Sequence, residues 1–323
     1  VKKIENKLDK TKKILLFPKS GGFDDLIESF DDKKNNISFY LLPRVFLKEI
    51  FWFFFKKNNN FYLGDYFTKL KTKKQIEKKK KYINFLTLSF KHINNFLKFD
   101  SYISFNLFYY AEKYFEDVCK NLNSKFIILQ KESIFTPAEE AGALKIYRKY
   151  NDKSKAHKVS VYSQSQKKLL VKSGLIDKEK IIINGNPRCD YSFKLRKFKP
   201  KGKTIVYYLI ESNRNKNIFV KNKNINWKKL YNQTLQYTIE FARNNPSYKI
   251  ILKGKNGVHK KRHFNQIKLP QNCFFIKDGV GHKLLNDASI VIAFNSTIVF
   301  ESILANRNLI IPNFNNENIS RKK

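Results

Sequence analysis

Short apolar runs rich in Ile, Val and Leu alternate with segments of helical periodicity along most of the chain. In the first half, the predicted strands are KILLF, the centre of SKFIILQKES, KVSVYS and KIIING. Helical spacing extends from Phe105 to Asn123 and through QSQKKLLVKSG, where Gly174 provides a C-cap. In the second half, TIVYYLI, YKIILKG and SIVIAF alternate with a helix from about Trp227 to Asn244. This alternation predicts an α/β fold with parallel sheets.

The last β-α-β unit carries a polar elbow. Ile290 to Phe294 is uniformly apolar, as expected of a strand buried in the middle of a parallel sheet. Three N-capping residues follow: Asn295, Ser296 and Thr297. The carboxyl ends of strands bind ligands in open α/β sheets, and a helix start attracts phosphate. The elbow is therefore a candidate donor-binding site, although an ordinary capped crossover helix would give the same pattern.

Two further residues belong to this elbow. Glu301 follows Thr297 by about one helical turn, so that its side chain could reach a ligand at the start of the helix. Asn306 stands where the helix must stop, because Asn tolerates the left-handed conformation of a helix end.

Other candidates lie at predicted strand ends. Lys131 and Glu132 follow an N-terminal strand and could contact an acceptor, but they could equally pair with each other. Lys253 ends a strand beside Gly254 and could meet a phosphate or simply be solvated. His282 lies in a Gly-rich loop and is a candidate for ligand contact.

The turn GNPRCD is stiff at Pro187 and permissive at Gly185. It would hold Arg188 and Asp190 in fixed positions, which makes both residues candidates for the acceptor side or the cleft.

The chain length allows two domains of ordinary size. We predict an N-terminal α/β domain over residues 1–192, a basic linker without periodicity over 193–203, and a C-terminal α/β domain over 204–323. The sequence starts with Val, contains no Met and stops just after a predicted strand. We therefore expect it to be a fragment truncated at both termini.

The net charge is +38, with 65 basic and 27 acidic residues. Only nine of the basic residues are Arg, whereas nucleic-acid surfaces favour Arg, so nucleic acid is disfavoured as a partner. The charge still attracts anionic membranes and phosphorylated substrates. The segment LKTKKQIEKKKKYINFL is a basic helix that forms either a solvated face or a contact with a membrane surface.

Three widely separated cysteines, Cys119, Cys189 and Cys273, form no ligand cluster, which favours a reduced, cytoplasmic setting without structural zinc. His259 and His263 are four residues apart, but the segment contains no carboxylate, and we predict no metal site there. No apolar run is long enough to span a membrane, and no signal peptide is visible.

Three segments carry a resemblance to a known family: FYYAEKYFEDVCKNLNSKFIILQKES, KVSVYSQSQKKLLVKSGLIDKEKIIINGNPRCD and DASIVIAFNSTIVFESILANRNLIIPNF. Together they resemble bacterial surface-carbohydrate and capsular-polysaccharide biosynthesis proteins. These are related to CDP-glycerol glycerophosphotransferase-like and Kdo-transferase-like enzymes of the GT-B type. The resemblance covers roughly Phe105 to Phe314, and its most specific pieces are GNPRCD and the FNST elbow with its glutamate.

This resemblance implies two Rossmann-like domains facing a cleft, and transfer of a sugar from a nucleotide-activated donor to a glycan or lipid-linked acceptor. Asn295, Ser296 and Thr297 would then bind the donor phosphates, and Glu301 a ribose or sugar hydroxyl. Glu132 would be the catalytic base, with no metal and no cofactor beyond the donor itself. Where the family pattern continues with Gly-Lys-Pro, this chain has Asn306-Arg307-Asn308, so the loop after the helix differs.

Three alternatives stay open. A CDP-glycerol-type glycerophosphotransferase at the inner face of the cell membrane would fit the basic charge and the aromatic N-terminal segment. A UDP-GlcNAc 2-epimerase-like enzyme would share the two-domain plan and the elbow, but needs further acidic and His residues in the cleft. A non-catalytic polyanion-binding protein would bind any polyanion, with affinity that falls steeply with salt.

Overall fold

The computed structural model describes residues 2–4, 12–18, 36–56, 62–63, 66–67, 70, 72–130, 137–150, 152–186, 189–200, 202–211, 226–255, 259, 264, 267–277, 279, 281–294 and 296–313. The chain divides into two compact units, Val1–Pro187 and Arg188–Lys323. No helix in the described ranges is long and apolar enough to cross a membrane.

The first unit is built on a seven-stranded sheet with the strand order β1-β3-β2-β6-β7-β8-β9. Its elements are β1 (Lys2–Ile4), β2 (Lys12–Leu16), β3 (Ile37–Leu41), α1 (Arg44–Phe55), β4 (Tyr62–Leu63), β5 (Tyr66–Phe67), α2 (Lys73–Leu97), β6 (Ser101–Ser104), α3 (Phe115–Asn121), β7 (Lys125–Leu129), α4 (Pro137–Tyr150), β8 (Lys158–Val161), α5 (Gln164–Lys172) and β9 (Ile181–Ile183). Strands β4 and β5 form a separate hairpin. The edge strand β1 pairs antiparallel with β3, and all other pairs of the large sheet are parallel.

Aromatic side chains fill the space between this sheet and helices α1, α2 and α3. The ring of Phe17, just after β2, packs edge-on against Phe115 of α3 with the centroids 4.6 Å apart. Phe115 in turn contacts Phe90 of α2 and Tyr102 of β6, at 4.7 and 5.2 Å. The strands β2, β3 and β6 are parallel, so their carboxyl ends lie at one edge of the sheet. The segments that follow these three strands therefore begin close together.

The predicted helix from Phe105 to Asn123 is wrong in its first half. Residues 105–114 form turns, and the helix begins only at Phe115. The Asn106 side chain accepts from the Phe108 N–H, and the Gln130 side chain accepts from the Leu107 N–H. Nearly all of these turn residues are buried, so that the segment has no polar face of the kind an amphipathic helix presents.

The second unit contains a five-stranded, fully parallel sheet with the order β12-β11-β10-β13-β14. Its elements are α6 (Cys189–Leu195), β10 (Thr204–Tyr208), α7 (Trp227–Asn244), β11 (Lys249–Lys253), β12 (Cys273–Ile276), a 3-10 helix (Gly281–Asn286), β13 (Ile290–Ile292), α8 (Ile298–Leu304) and β14 (Asn308–Ile310). The two mainly parallel sheets with interleaved helices confirm the predicted α/β class and the two Rossmann-like units. The helix predicted near Trp227–Asn244 is confirmed, and so is the β13-α8-β14 unit.

The boundary between the units differs from the predicted linker over 193–203. Helix α6 contains the first of these residues and packs against α8 of the second unit. Leu195 belongs to the buried core there, with Tyr191 packed against it. Apolar residues of this otherwise basic segment therefore anchor it to the C-terminal domain.

Candidate functional site

The carboxyl edge of the second sheet is formed by the ends of its five parallel strands. Tyr208 ends β10, Lys253 ends β11, and the elbow follows β13. Tyr208 and Lys253 lie opposite each other in the parallel register, so their side chains point to the same face of the sheet. This face is the one covered by α6, α8 and the 3-10 helix, since Val206, Ile251 and Val291 all belong to its core.

Lys253 is buried at this edge, with 8% of its surface exposed. Its Nζ donates a hydrogen bond of 2.6 Å to the Lys277 carbonyl oxygen, just beyond the end of β12. An ammonium group is rarely buried unless it is paired, because removal from water is costly. The fold thus holds a positive charge at the end of a central strand, close to the sheet edge.

Glu301 is also buried, with 4% of its surface exposed. It lies on α8, near the Tyr208 hydroxyl. Burial, and secondarily the nearby Glu301 carboxylate, raise the pKa of Tyr208 well above its ordinary value. Tyr208 therefore stays protonated and donates a 2.8 Å hydrogen bond to the Gly281 carbonyl.

This hydrogen bond fixes the start of the 3-10 helix that carries His282. The His282 side chain is buried, and its ring packs against Tyr191 of α6 with the centroids 4.8 Å apart. The structure thus places Lys253, Glu301 and His282, three of the residues predicted from the sequence, around one side of the sheet edge. Tyr208 lies opposite Lys253 in the register, is close to Glu301, and donates its hydrogen bond to Gly281, the residue before His282.

The elbow itself closes its first turn internally. The N–H groups of Val299 and Phe300 donate to the carbonyls of Ser296 and Thr297, at 3.1 and 3.0 Å. Thr297 is the N-cap residue, but its side chain makes no capping hydrogen bond. Ser296 is exposed, and its hydroxyl is 3.5 Å from the Ile298 N–H. Neither the Thr297 nor the Ser296 hydroxyl therefore makes a strong capping hydrogen bond.

Helix α8 ends as predicted at Asn306, which adopts a positive φ of 54°. The Asn306 N–H donates to the Ile303 carbonyl, and the Arg307 N–H donates to that of Ser302. These two bonds form a Schellman motif. Gly174, with φ of 73°, closes α5 in the same way, which confirms its predicted role.

His259 has a structural role, because its ring makes hydrogen bonds to two segments of the second unit. Its Nδ1 accepts from the Lys255 N–H at 3.0 Å, so that the proton sits on Nε2, 3.1 Å from the Ile210 carbonyl. The ring thereby ties the loop after β11 to the segment after β10. No group of three His, Cys, Asp or Glu side chains in the described ranges is arranged to hold a metal ion.

Four predicted site residues lie outside the described residues: Lys131, Glu132, Arg188 and Asn295. Asp190 is exposed in the first turn of α6 and belongs to the second unit, whereas the sequence analysis placed it in the N-terminal domain. Burial raises the pKa of Asp190, and Lys194 opposes that shift.

Tyr208 and Arg307 were missed by the sequence analysis. The signal for Tyr208 was its position as the last residue of an apolar strand, where the carboxyl edge begins. Arg307 had a weaker signal, since it is a single Arg between two Asn residues in the loop after α8.

No protein-family model matches the sequence, and no curated protein sequence matches it significantly. Solved structures similar to this chain include a glycosyltransferase from Rickettsia africae, with 16% identity over 94% of this chain and 79% of that protein, and a TM-score of 0.45. A variant of the wall teichoic acid polymerase TagF matches with 11% identity over 92% and 69% of the two chains, and a TM-score of 0.46. The glycotransferase of kitacinnamycin matches with 10% identity over 95% and 82%, and a TM-score of 0.47. A fold does not specify a function, which has to be inferred from the site.

Proposed function

We propose that the chain is a GT-B-type transferase that moves a sugar from a nucleotide-activated donor to a glycan or lipid-linked acceptor. The observation that carries the proposal is the position of Lys253 and Glu301, two buried and oppositely charged side chains on one side of the carboxyl edge of a parallel sheet. This edge is where doubly wound folds bind nucleotides. The sequence resemblance of the elbow to donor-binding segments points to the same place.

Each group has a distinct task in this proposal. Lys253 supplies positive charge for the donor phosphates, and Ser296 and Thr297 supply hydroxyl donors at the elbow. Glu301 accepts hydrogen bonds from a ribose or sugar hydroxyl, for which a buried carboxylate is a strong acceptor. His282 contacts the donor from the turn that Tyr208 holds in place. These groups would stabilise the departing nucleotide, whose phosphate gains negative charge as the sugar leaves.

The acceptor would bind to the N-terminal unit. There, Glu132 would take the proton of the attacking hydroxyl, and Lys131 would contact the acceptor. The cellular role that we propose is biosynthesis of capsule or lipopolysaccharide in the cytoplasm, at the inner face of the cell membrane.

Nucleotide binding tests the proposal directly. Thermal shifts and calorimetry with CMP, CDP, UDP, GDP, CMP-Kdo, CDP-glycerol and UDP-sugars should show selective binding of one nucleotide class. We expect Lys253→Met to weaken this binding by about ten- to a hundredfold, because a charge-assisted hydrogen bond is lost. Ser296→Ala should weaken it by up to about tenfold.

Two control variants make the same changes at the opposite edge of the sheet. Lys249 is exposed at the start of β11, and Ser247 is exposed just before it. Lys249→Met and Ser247→Ala should bind the nucleotide as the unsubstituted chain does. Equal shifts with every polyanion, abolished by salt and indifferent to Lys253→Met, would instead establish a non-catalytic polyanion-binding protein. Selective binding of CDP-glycerol with release of CMP would identify a glycerophosphotransferase.

A further inference from the structure

Helices α1 and α2 of the first unit expose an unusual number of large apolar side chains. Phe53 of α1 is 82% exposed, and Phe96 and Leu88 of α2 are 81% and 69% exposed. Phe46 and Phe85 are about half exposed. Single exposed apolar residues are common, but a cluster on two packed helices marks an interaction site.

Phe53 of α1 and Phe85 of α2 belong to one surface, because the ring of Phe54 contacts both. Phe54 packs edge-on against Phe53 of its own helix with the centroids 5.3 Å apart. Its ring also contacts Phe85 of α2 at 5.7 Å. We call the face formed by Phe53, Phe54 and the exposed stripe of α2 described next the α1–α2 surface.

The stripe on α2 follows helical spacing along almost the whole helix. It consists of residues three or four positions apart, which share one face: Lys74, Lys78, Lys81, Phe85, Leu88, His92 and Phe96. The opposite face packs into the core through Tyr82, Ile83, Leu86 and Phe90. The stripe is therefore basic in its first half and mainly apolar and aromatic in its second half.

Charge restricts what can cover this surface. Helix α2 carries seven lysines and a single glutamate, within a chain whose net charge is +38. A second copy of the chain would bring the same positive charge to the contact, and the two would repel each other. An anionic surface is complementary, and the lysine chains can reach its charges while the aromatic rings occupy a less polar layer.

We propose that the α1–α2 surface binds the surface of an anionic lipid bilayer. Phe53, Leu88 and Phe96 insert at the boundary between headgroups and acyl chains, and Lys74, Lys78 and Lys81 contact the anionic headgroups. This contact holds the first unit at a membrane surface. Vesicle binding by this surface does not require the transferase activity proposed above, so that either can fail without the other.

Flotation with vesicles, in the absence of nucleotide, tests this assignment. The chain should bind vesicles of phosphatidylcholine mixed with phosphatidylglycerol, and bind phosphatidylcholine alone much more weakly. Replacement of Lys74, Lys78 and Lys81 by Gln should weaken binding on the order of a hundredfold, since each lysine near an anionic surface contributes about 1 kcal/mol. Phe53→Asn combined with Phe96→Asn should weaken binding by about tenfold or more through lost apolar contact.

Matched controls carry the same changes on exposed residues of the second unit. Lys228→Gln, Lys229→Gln and Lys249→Gln remove three exposed lysines, and Phe193→Asn with Phe198→Asn removes two exposed aromatic rings. These controls should bind vesicles as well as the unsubstituted chain. The proposal is overturned if the controls lose as much binding as the α1–α2 variants, or if lipid charge has no effect. It is also overturned if the α1–α2 variants lose binding to single-stranded RNA while the unsubstituted chain binds no vesicles.

Discussion

Arg44 and Glu112 form a buried ion pair in the first unit, with Arg44 Nε 2.7 Å from Glu112 Oε1 and 2.9 Å from Oε2. Both side chains are about 2% exposed. The guanidinium also stacks over the Tyr109 ring, 3.8 Å from its centroid. Arg44 begins α1 just after β3, and Glu112 lies in the turns after β6. The pair therefore joins two segments at the carboxyl edge of the first sheet.

Breaking this pair should destabilise the first unit strongly. Above about pH 7, where the Glu112 carboxylate is ionised, Glu112→Leu leaves a buried guanidinium without its carboxylate, which we expect to cost about 3–5 kcal/mol in the free energy of unfolding. The double variant Arg44→Met with Glu112→Leu should recover most of that loss, because no charge is left unpaired. Urea unfolding of the two single variants and the double variant measures the coupling. Additive effects would show that the two charges do not depend on each other.

The same pair predicts a pH dependence of stability. Burial raises the pKa of Glu112 from 4.5 to about 7, although the charge of Arg44 opposes this shift. The folded state then binds the proton more tightly than the unfolded chain. The stability that this proton contributes is complete below about pH 4.5 and is lost as the pH rises to about 7. Unfolding free energies measured across this interval should fall with pH, and Glu112→Gln should remove that part of the slope.

His259 should show the opposite dependence in the second unit. Burial lowers its pKa below the ordinary value of 6.5, and the hydrogen bond to the Ile210 carbonyl opposes this shift. The contribution of the neutral ring is complete above pH 6.5 and is lost as the pH falls through the lowered pKa. An NMR titration of the ring should therefore give a pKa below 6.5, and urea unfolding should show the acid-side loss.

A matched pair of variants separates this effect from general acid destabilisation. His259→Gln should remove the loss of stability below pH 6.5, whereas His157→Gln, at an exposed position, should leave it in place. If both variants retain the same acid-side slope, another group causes it.

The fold was predictable where the local pattern and the buried environment agree. The segments of β13, α8 and β14 combine an apolar run with Asn306 at the end of the helix, and both features form as expected, whereas Thr297 makes no side-chain capping hydrogen bond. The helix predicted for Phe105 to Tyr114 was wrong although the aromatic residues have helical spacing. These residues are buried among other aromatic rings, and the side chains of Asn106 and Gln130 accept hydrogen bonds from the backbone of the segment. Periodicity cannot distinguish these two situations, since the partners of the segment come from distant strands.

The candidate site was predictable only in part. Lys253 was selected as the end of a strand, His282 for its Gly-rich loop, and Glu301 for its position one helical turn after Thr297. Tyr208 was not selected because the apolar run TIVYYLI continues beyond it, so that the sequence does not mark Tyr208 as the end of the strand. Its role depends on the Gly281 carbonyl, which is 73 residues away in sequence.

Arg307 anchors the loop after α8 to three other segments of the second unit. Its guanidinium is buried and donates to three carbonyl groups, those of Leu285, Phe198 and Ala305, at 2.8, 3.0 and 2.8 Å. It thereby connects the 3-10 helix beside the candidate site, the segment after α6 and the end of α8. A lysine keeps the charge, but its single ammonium group cannot reach three separate carbonyls in the same geometry.

We therefore expect Arg307→Lys to lower the free energy of unfolding of the second unit by about 3 kcal/mol or more, through the loss of two hydrogen bonds from a charged donor. Arg243→Lys makes the same change at an exposed position of α7 and should stay within about 0.5 kcal/mol of the unsubstituted chain. Hydrogen exchange should also become faster around Phe198 in Arg307→Lys and not in Arg243→Lys, because the Phe198 carbonyl loses its anchor. Equal stability of the two variants would mean that the three carbonyl contacts contribute nothing measurable. The segment after α6 would then be held only through the apolar packing of Leu195 and Tyr191.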